Sequence, residues 1–134
     1  MSQENVETVR QALDSWDRRD RATWLALHDP DSEVIPSRHW PEPGAVRGRE
    51  PAWEFYVNSL GEAFERLAVE DAELVDAGAD KVLVHHPLAS RGRASGARFE
   101  ASVWAVVTFR EGRIVREEWF FDRAEALEAA GLRD

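Results

Sequence analysis

Two strand-like stretches joined by a tight turn decide the fold of this chain: Ala97–Phe109 (ARFEASVWAVVTF) and Arg113–Asp122 (RIVREEWFFD), on either side of Arg110-Glu111-Gly112. Both stretches alternate with a period of two, which is typical of half-buried β-strands. Their odd-numbered positions form a nearly continuous apolar face, made of Phe99, Ala101, Val103, Ala105, Val107, Phe109, Val115, Trp119 and Phe121. Glu117 interrupts this face with a charge. The pattern predicts a hairpin with one carboxylate on its buried side.

Glu117 is therefore the first candidate catalytic residue. A carboxyl group in an apolar cavity is suited to general acid or base chemistry, because loss of water favours its neutral form. Two other interpretations remain open: Glu117 lies at the rim and pairs with an arginine such as Arg38, or a bulge turns it outward. The second candidate is His86, which exchanges a proton with Glu117 or donates to a ligand, unless it merely lines the pocket.

The composition excludes several classes of function. A chain of 134 residues is expected to form one domain over residues 1–134, and the absence of cysteine rules out disulfides and thiolate metal sites. The net charge of -9 argues against nucleic-acid or membrane partners, which are polyanionic. No stretch approaches the roughly 18 apolar residues of a membrane span, and the N-terminus lacks the features of a signal peptide. We expect a cytoplasmic protein without a cofactor. We also expect no metal, because the four histidines lack the spacing of metal ligands.

The rest of the chain predicts helices first and then strands. Apolar spacing, caps and turn residues place helices at Val6–Arg19, from an Asp20 cap to Leu27, from Pro51 through Tyr56 and Leu60, and from an Asp122 cap to Gly131; strands are expected at Glu33–Arg38, Leu67–Ala77 and Lys81–Ser90. Pro87 cannot donate to a ladder, so a bulge or a local edge is expected there. This order is typical of an α+β domain with helices on one face of a curved antiparallel sheet.

Four segments carry a resemblance to a known family: HDPDSEV (28–34), GREPAWEFY (48–56), FREGRIV (109–115) and FFDRAEALEAAGL (120–132). With the order of elements, they resemble SnoaL-like members of the NTF2-like superfamily over essentially the whole chain. The resemblance implies a cone-shaped α+β fold, in which a strongly curved antiparallel sheet wraps around three N-terminal helices and a short helix ends the chain. It also implies a homodimer through the outer sheet face. The superfamily contains polyketide cyclases, ketosteroid isomerases, limonene epoxide hydrolases and scytalone dehydratases, together with non-catalytic binding proteins.

The catalytic residues of those enzymes do not carry over to this chain. Ungapped counting places the family's acidic, arginine and tyrosine positions at Trp119, His86, Leu88, Pro36, Ala12 and Ala105. None of the known constellations is present. The same counting places His86, Val103, Glu117 and Trp119 on the inward face, in agreement with the hydrophobic alternation. A type I turn with a glycine bulge at Arg110-Glu111-Gly112 would keep this parity.

The predicted ligand-binding residues are mostly aromatic. Five of them would form a cavity for a flat or polycyclic apolar molecule, with Val103 inward and Arg38 in the loop over the mouth: Trp16, Tyr56, Phe99, Trp119 and Phe121. Plain core packing is the alternative for each aromatic residue, and Trp119 would fill the cavity in that case. Trp104 and Phe120 point outward and are the expected dimer contacts.

Two functions remain open at this stage. The first is a protein that binds an apolar cyclic small molecule in its cone and performs cofactor-free isomerase, cyclase, dehydratase or hydrolase chemistry with Glu117 and His86. The second is a non-catalytic homodimeric binding or interaction module.

Overall fold

A computed structural model describes residues 2–37, 44–60, 72–78, 80–91 and 98–132 of the chain. In chain order the elements are α1 (Ser2–Asp17), α2 (Arg21–Ala26), β1 (His28–Ile35), β2 (Val46–Arg47), α3 (Arg49–Glu54) with a π-helical continuation (Phe55–Leu60), β3 (Glu73–Asp76), β4 (Lys81–Arg91), β5 (Arg98–Arg110), β6 (Arg113–Phe120) and α4 (Arg123–Ala130). The predicted α+β fold is confirmed, with α4 as the short C-terminal helix.

The six strands form one curved sheet in the order β2-β1-β6-β5-β4-β3. The β3–β4, β4–β5, β5–β6 and β1–β2 pairs are antiparallel, whereas β1 runs parallel to β6. The long β4–β5–β6 meander is the part that the alternating sequence predicts. The parallel β1–β6 contact places the start of β1 beside the strand that carries Glu117.

Helices α1 to α3 cover the inner face of the sheet. Val9, Ala12 and Trp16 project from α1 with helical spacing and are buried. They pack in one cluster with Trp24 of α2, with Trp53 and Tyr56, and with the inward residues of the sheet, which are Val34, Val82, Val84, Ala105, Val107, Phe109 and Ile114. This cluster forms the wall of the cone.

The outer face carries a second, smaller cluster. Leu83 and Val106 are buried against Ala126 and Ala130 of α4, so the C-terminal helix lies on the opposite side of the sheet from the other helices. The side chain of Asp122 caps α4 by accepting from the amide of Ala124, and the helix ends at Gly131 in the left-handed conformation. These caps are the ones expected from the sequence.

The β5–β6 hairpin differs from the predicted turn. Glu111 and Gly112 both have positive φ, 52° and 80°, and Arg110 pairs directly with Arg113. This is a two-residue turn of the type I′ class rather than a type I turn with a glycine bulge. The bulge lies further along β6, where Val115 has no partner between the pairs Phe109–Ile114 and Thr108–Arg116.

The bulge at Val115 decides which side chains of β6 point inward. Ile114 is 1% exposed and belongs to the inner core, so the expectation that Val115 lies on that face is wrong. Beyond the bulge Glu117 pairs with Val107, and both lie on the inner face. One extra residue therefore restores the parity that a two-residue turn alone would have reversed.

Three other boundaries also differ from the expectation. β1 begins at His28 rather than at Glu33, and α3 begins at Arg49 after a Gly48 cap, so Pro51 lies in its first turn but not at its first position. The expected strand Leu67–Ala77 is observed as β3, and residues 61–71 lie outside the described part. The β4–β5 register runs unbroken through Pro87, so there is no bulge between these two strands at that position.

Candidate active site in the cone

Glu117 lies on the inner face with its side chain 13% exposed. Both carboxylate oxygens are hydrogen-bonded: Oε1 lies 2.9 Å from Nε2 of His28, and Oε2 accepts from the hydroxyl of Tyr56 at 2.5 Å. The partners come from the start of β1 and from the π-helical continuation of α3. A nearly buried carboxylate is thus held by an imidazole and a tyrosine hydroxyl.

His28 is the imidazole that contacts Glu117, and its ring is 1% exposed. Its Nδ1 lies 2.7 Å from the carbonyl oxygen of Trp24, one helical turn earlier. A carbonyl oxygen only accepts, so Nδ1 carries a hydrogen and Nε2 faces the carboxylate. The same carbonyl oxygen also accepts from the amide of Leu27 at 3.2 Å. The 2.9 Å contact to Glu117 consequently holds one proton between the imidazole and the carboxylate.

Aromatic packing and a guanidinium fix the position of His28. The ring of Trp24 stacks on the imidazole with centroids 3.6 Å apart and an interplanar angle of 22°. Nη1 of Arg49 donates to the backbone carbonyls of Leu25 (3.2 Å) and His28 (3.3 Å), which ties this turn of the chain to α3. The side chain of Asp20 caps α2 by accepting from the amide and hydroxyl of Thr23.

Tyr56 connects Glu117 to Trp119. The tyrosine hydroxyl donates to Glu117 and accepts from Nε1 of Trp119 at 2.9 Å. Burial raises the pKa of Tyr56 well above its usual value, and the negative charge and hydrogen bond of Glu117 raise that pKa further. Tyr56 therefore remains a hydrogen-bond donor across the physiological pH range.

His86 lies nearby on the inner face of β4 but is not the residue bonded to the carboxylate. It is 4% exposed and stacks on Trp119 with centroids 5.4 Å apart. Burial lowers the pKa of His86 from 6.5 to about 4, against an opposing effect of Glu117 and with a smaller lowering by His85. The side chain is thus neutral at pH 7. His85 points to the other face and stacks on Trp104.

The other predicted ligand-binding residues differ in their location and burial. Trp16 is 9% exposed in the inner core, and its Nε1 has no hydrogen-bond partner among the described residues. Val103 is buried beside His86 in the β4–β5 register, and Phe121 is half-buried just after β6. Arg38 and the side chain of Phe99 lie outside the described residues.

Sequence reasoning identified Glu117 and Tyr56 but missed His28. The segment HDPDSEV contained it, yet an expected strand start at Glu33 left His28 in a loop. The available signal was the helix capped at Asp20: a histidine four residues after Trp24 can contact the carbonyl groups in the last turn of α2. Its contact with Glu117 had no local signal, because it depends on the parallel pairing of β1 with β6.

No metal centre or membrane helix accompanies this site in the described part of the chain. Within those ranges, there is no group of three or more histidine, aspartate or glutamate side chains that could hold a metal ion. The helices found there are all too short or too polar to cross a bilayer.

A family model described as the SnoaL-like domain matches residues 9–117, a range that includes His28, Tyr56 and Glu117. The chain belongs to the SnoaL-like family. No curated protein matches it. This SnoaL-like chain is similar to many solved structures, and three represent them.

An NTF2-like protein from Burkholderia xenovorans LB400 has a TM-score of 0.80 and 26% identity, over 97% of each chain. A putative SnoaL-like polyketide cyclase from Jannaschia sp. CCS1 has a TM-score of 0.75 and 22% identity, over 98% of this chain and 94% of that one. TerC, co-crystallized with polyporic acid, has a TM-score of 0.73 and 21% identity, over 96% and 98%. These likenesses support the NTF2-like cone for the SnoaL-like chain.

Proposed function

We propose that this SnoaL-like protein binds an apolar cyclic small molecule in its cone and catalyses a cofactor-independent proton transfer with Glu117 as the base. The observation that carries the proposal is the carboxylate of Glu117, 13% exposed on the inner face and bonded to His28 and Tyr56. A carboxylate with little water and fixed donors is arranged for general base catalysis, which contributes about 10²–10⁴-fold to a rate.

The reaction class that fits is proton removal next to a carbonyl group. Glu117 takes a proton from a substrate carbon, and the electron pair of that C–H bond moves into a C=C bond while the carbonyl oxygen becomes an enolate oxygen. Return of the proton to another carbon completes an isomerisation. In a cyclisation, the enolate carbon instead attacks a second carbonyl and forms a C–C bond, the π electrons of that C=O bond move to its oxygen, and this alkoxide takes the proton back from Glu117. Dehydration begins with the same step and ends with loss of hydroxide, which is protonated to water.

Tyr56 is placed to support this step. Its hydroxyl donates to an anionic acceptor in the resting site, and that hydrogen bond weakens when Glu117 gains a proton and loses its charge. The same hydrogen is then free for the developing enolate oxygen. The raised pKa of Tyr56 keeps the hydrogen on the hydroxyl throughout.

The surroundings support an aromatic or polycyclic ligand. Trp16, Trp24, Tyr56 and Trp119 belong to or pack against the inner cluster. The indole Nε1 of Trp16 is a buried donor that has no acceptor within the described part of the chain. A ligand carbonyl or hydroxyl would satisfy it. Similar folds described as polyketide cyclases, and TerC with polyporic acid, are consistent with a cyclic ligand.

A base-catalysed elimination probe tests this proposal without knowledge of the natural substrate. Nitrobenzisoxazole loses its ring C–H proton to a base while the N–O bond breaks, which yields a nitrile and a coloured phenolate. We expect turnover by the wild type and a loss of about 100-fold or more in Glu117→Gln. The matched control is Glu118→Gln, the next residue of β6, which should retain activity. Equal rates for wild type and Glu117→Gln would refute the proposal, and native mass spectrometry of fresh protein would show a co-purifying ligand.

A second candidate function is a non-catalytic binding or interaction module. The observation that favours it is the position of Trp119, whose Nε1 is bonded to Tyr56 and whose ring stacks on His86, so a large side chain of the protein lies between two residues of the candidate site. In that case Trp119→Ala would bind the dye anilinonaphthalene sulfonate in the cone and the wild type would not. Dye binding by the wild type, with competition by apolar cyclic compounds, favours the first function.

We also propose that the protein forms a homodimer through the outer face. Trp104 and Phe120 are paired across β5 and β6 and are only half-buried by the α4 cluster. Light scattering after size-exclusion chromatography should give twice the mass of the chain, and Trp104→Glu should give the single mass.

A further inference from the structure

We propose that His28 is the positioning residue of this site. It fixes the carboxylate of Glu117 and carries the positive charge that the His28–Glu117 pair has after Glu117 accepts a substrate proton. The catalytic half of this inference rests on the proposed function, whereas the hydrogen-bond half can be tested without any reaction.

The burial of His28 and Glu117 indicates which of the two lies nearer to the interior of the cone. His28 is 1% exposed, whereas the side chain of Glu117 is 13% exposed. Glu117 therefore meets a ligand in the cone and His28 lies behind it. A residue in that place acts through the carboxylate and not on the substrate.

The ring of His28 is held in one orientation. Nδ1 donates to the carbonyl of Trp24, Nε2 contacts Glu117, and the indole of Trp24 covers one face of the imidazole. A half-turn of the ring would place carbon atoms against both oxygens and break both hydrogen bonds of the imidazole, which is costly. The imidazole consequently holds the carboxylate in a fixed position. This matters because a small misplacement of a catalytic group lowers the rate by about 100-fold.

Proton counting at this pair identifies the charge of the substrate. In the resting site Glu117 is anionic and the shared proton sits on Nε2, so His28 and Glu117 together are neutral, because Nδ1 also carries a hydrogen. After one substrate proton is taken up, the pair carries a single positive charge, with both imidazole nitrogens and the carboxyl group protonated. That charge appears as the substrate becomes an enolate, so the two balance. The geometry thus points to an uncharged cyclic carbonyl compound as the substrate class.

The first experiment separates the two contacts of His28 with the nitrobenzisoxazole probe. His28→Asn keeps a donor near the Nδ1 position, and His28→Gln keeps one near the Nε2 position, while His85→Gln on the outer face is the matched control. We expect kcat to fall about 100-fold in His28→Asn with KM nearly unchanged, and His28→Gln to recover part of the loss. A purely structural role predicts a lower melting temperature with equal kcat in both variants, which would overturn the inference.

The second experiment needs neither activity nor a variant of His28. NMR spectra of the histidine imidazoles should show Nδ1 of His28 protonated in the wild type and in Glu117→Gln, whereas the Nε2 signal should change between them. The other titratable groups facing the pair are Tyr56, bonded to Glu117, and His86 on β4. An unprotonated Nδ1, or identical spectra, would overturn the inference. If Glu117→Gln turns over the probe like the wild type but the spectra differ, only the proposed function and the catalytic half fail.

Discussion

The indole N–H of Trp119 donates to the hydroxyl oxygen of Tyr56 across 2.9 Å, and this contact fixes the direction of the tyrosine's own hydrogen. Because the oxygen is occupied by the indole donor, the hydroxyl hydrogen points to Oε2 of Glu117. A hydroxyl that accepts one hydrogen bond is a stronger donor in the next. Trp119 thus fixes the orientation of the Tyr56 hydroxyl beside Glu117.

Removal of the tyrosine hydroxyl should destabilise the fold. Tyr56→Phe leaves Oε2 of Glu117 and Nε1 of Trp119 without their partners in a largely buried site, which we expect to lower the free energy of unfolding by about 1–3 kcal/mol. The midpoint of urea unfolding, at unchanged slope, measures the loss.

A double-mutant cycle identifies the source of that loss. Trp119→Phe removes the indole donor, so adding Tyr56→Phe to it should cost less than Tyr56→Phe costs in the wild type. Strict additivity of the two changes would contradict the hydrogen bond between them.

The free energy of unfolding should decrease as the pH decreases, because of His86. Its folded pKa, about 4, lies below the usual 6.5, so the unfolded chain binds more protons between these values. The contribution is fully present above about pH 6.5 and is lost progressively as the pH falls to about 4, with a total of about 3 kcal/mol.

Unfolding curves for wild type and His86→Gln between those pH values provide the measurement. The variant is expected to have a flatter pH dependence, because its side chain does not titrate. His85→Gln, on the outer face, serves as the control and should keep the wild-type slope. A slope that survives in His86→Gln would assign the effect to other groups.

The β5–β6 turn should be open to stabilisation at Glu111. This exposed residue has φ of 52°, a left-handed conformation that disfavours glutamate and suits asparagine in a type I′ turn before glycine. Glu111→Asn should raise the free energy of unfolding by roughly 0.5–1 kcal/mol. Thermal unfolding measures this, with Glu128→Asn in α4 as a helical control that should not gain. A loss of stability in Glu111→Asn would be inconsistent with the observed turn.

The order of elements, the inward parity of Glu117 and the caps at Asp20, Asp122 and Gly131 could be derived from the sequence alone. Each depends on interactions within a few residues: alternation along one strand, or a side chain that accepts from an amide two or three residues away. Such interactions depend only on short stretches of the sequence, so they can be predicted from it.

The partner of the carboxylate was decided by tertiary structure alone. His28 and Glu117 are 89 residues apart and meet because β1 runs parallel to β6, with a register shift between His28 and Glu33. The bulge at Val115 likewise arises from pairing with β5, and it keeps Glu117 inside although the turn differs from the predicted one. Packing of distant segments selects these contacts, because their energies come from burial and hydrogen bonds that exist only once the sheet is assembled.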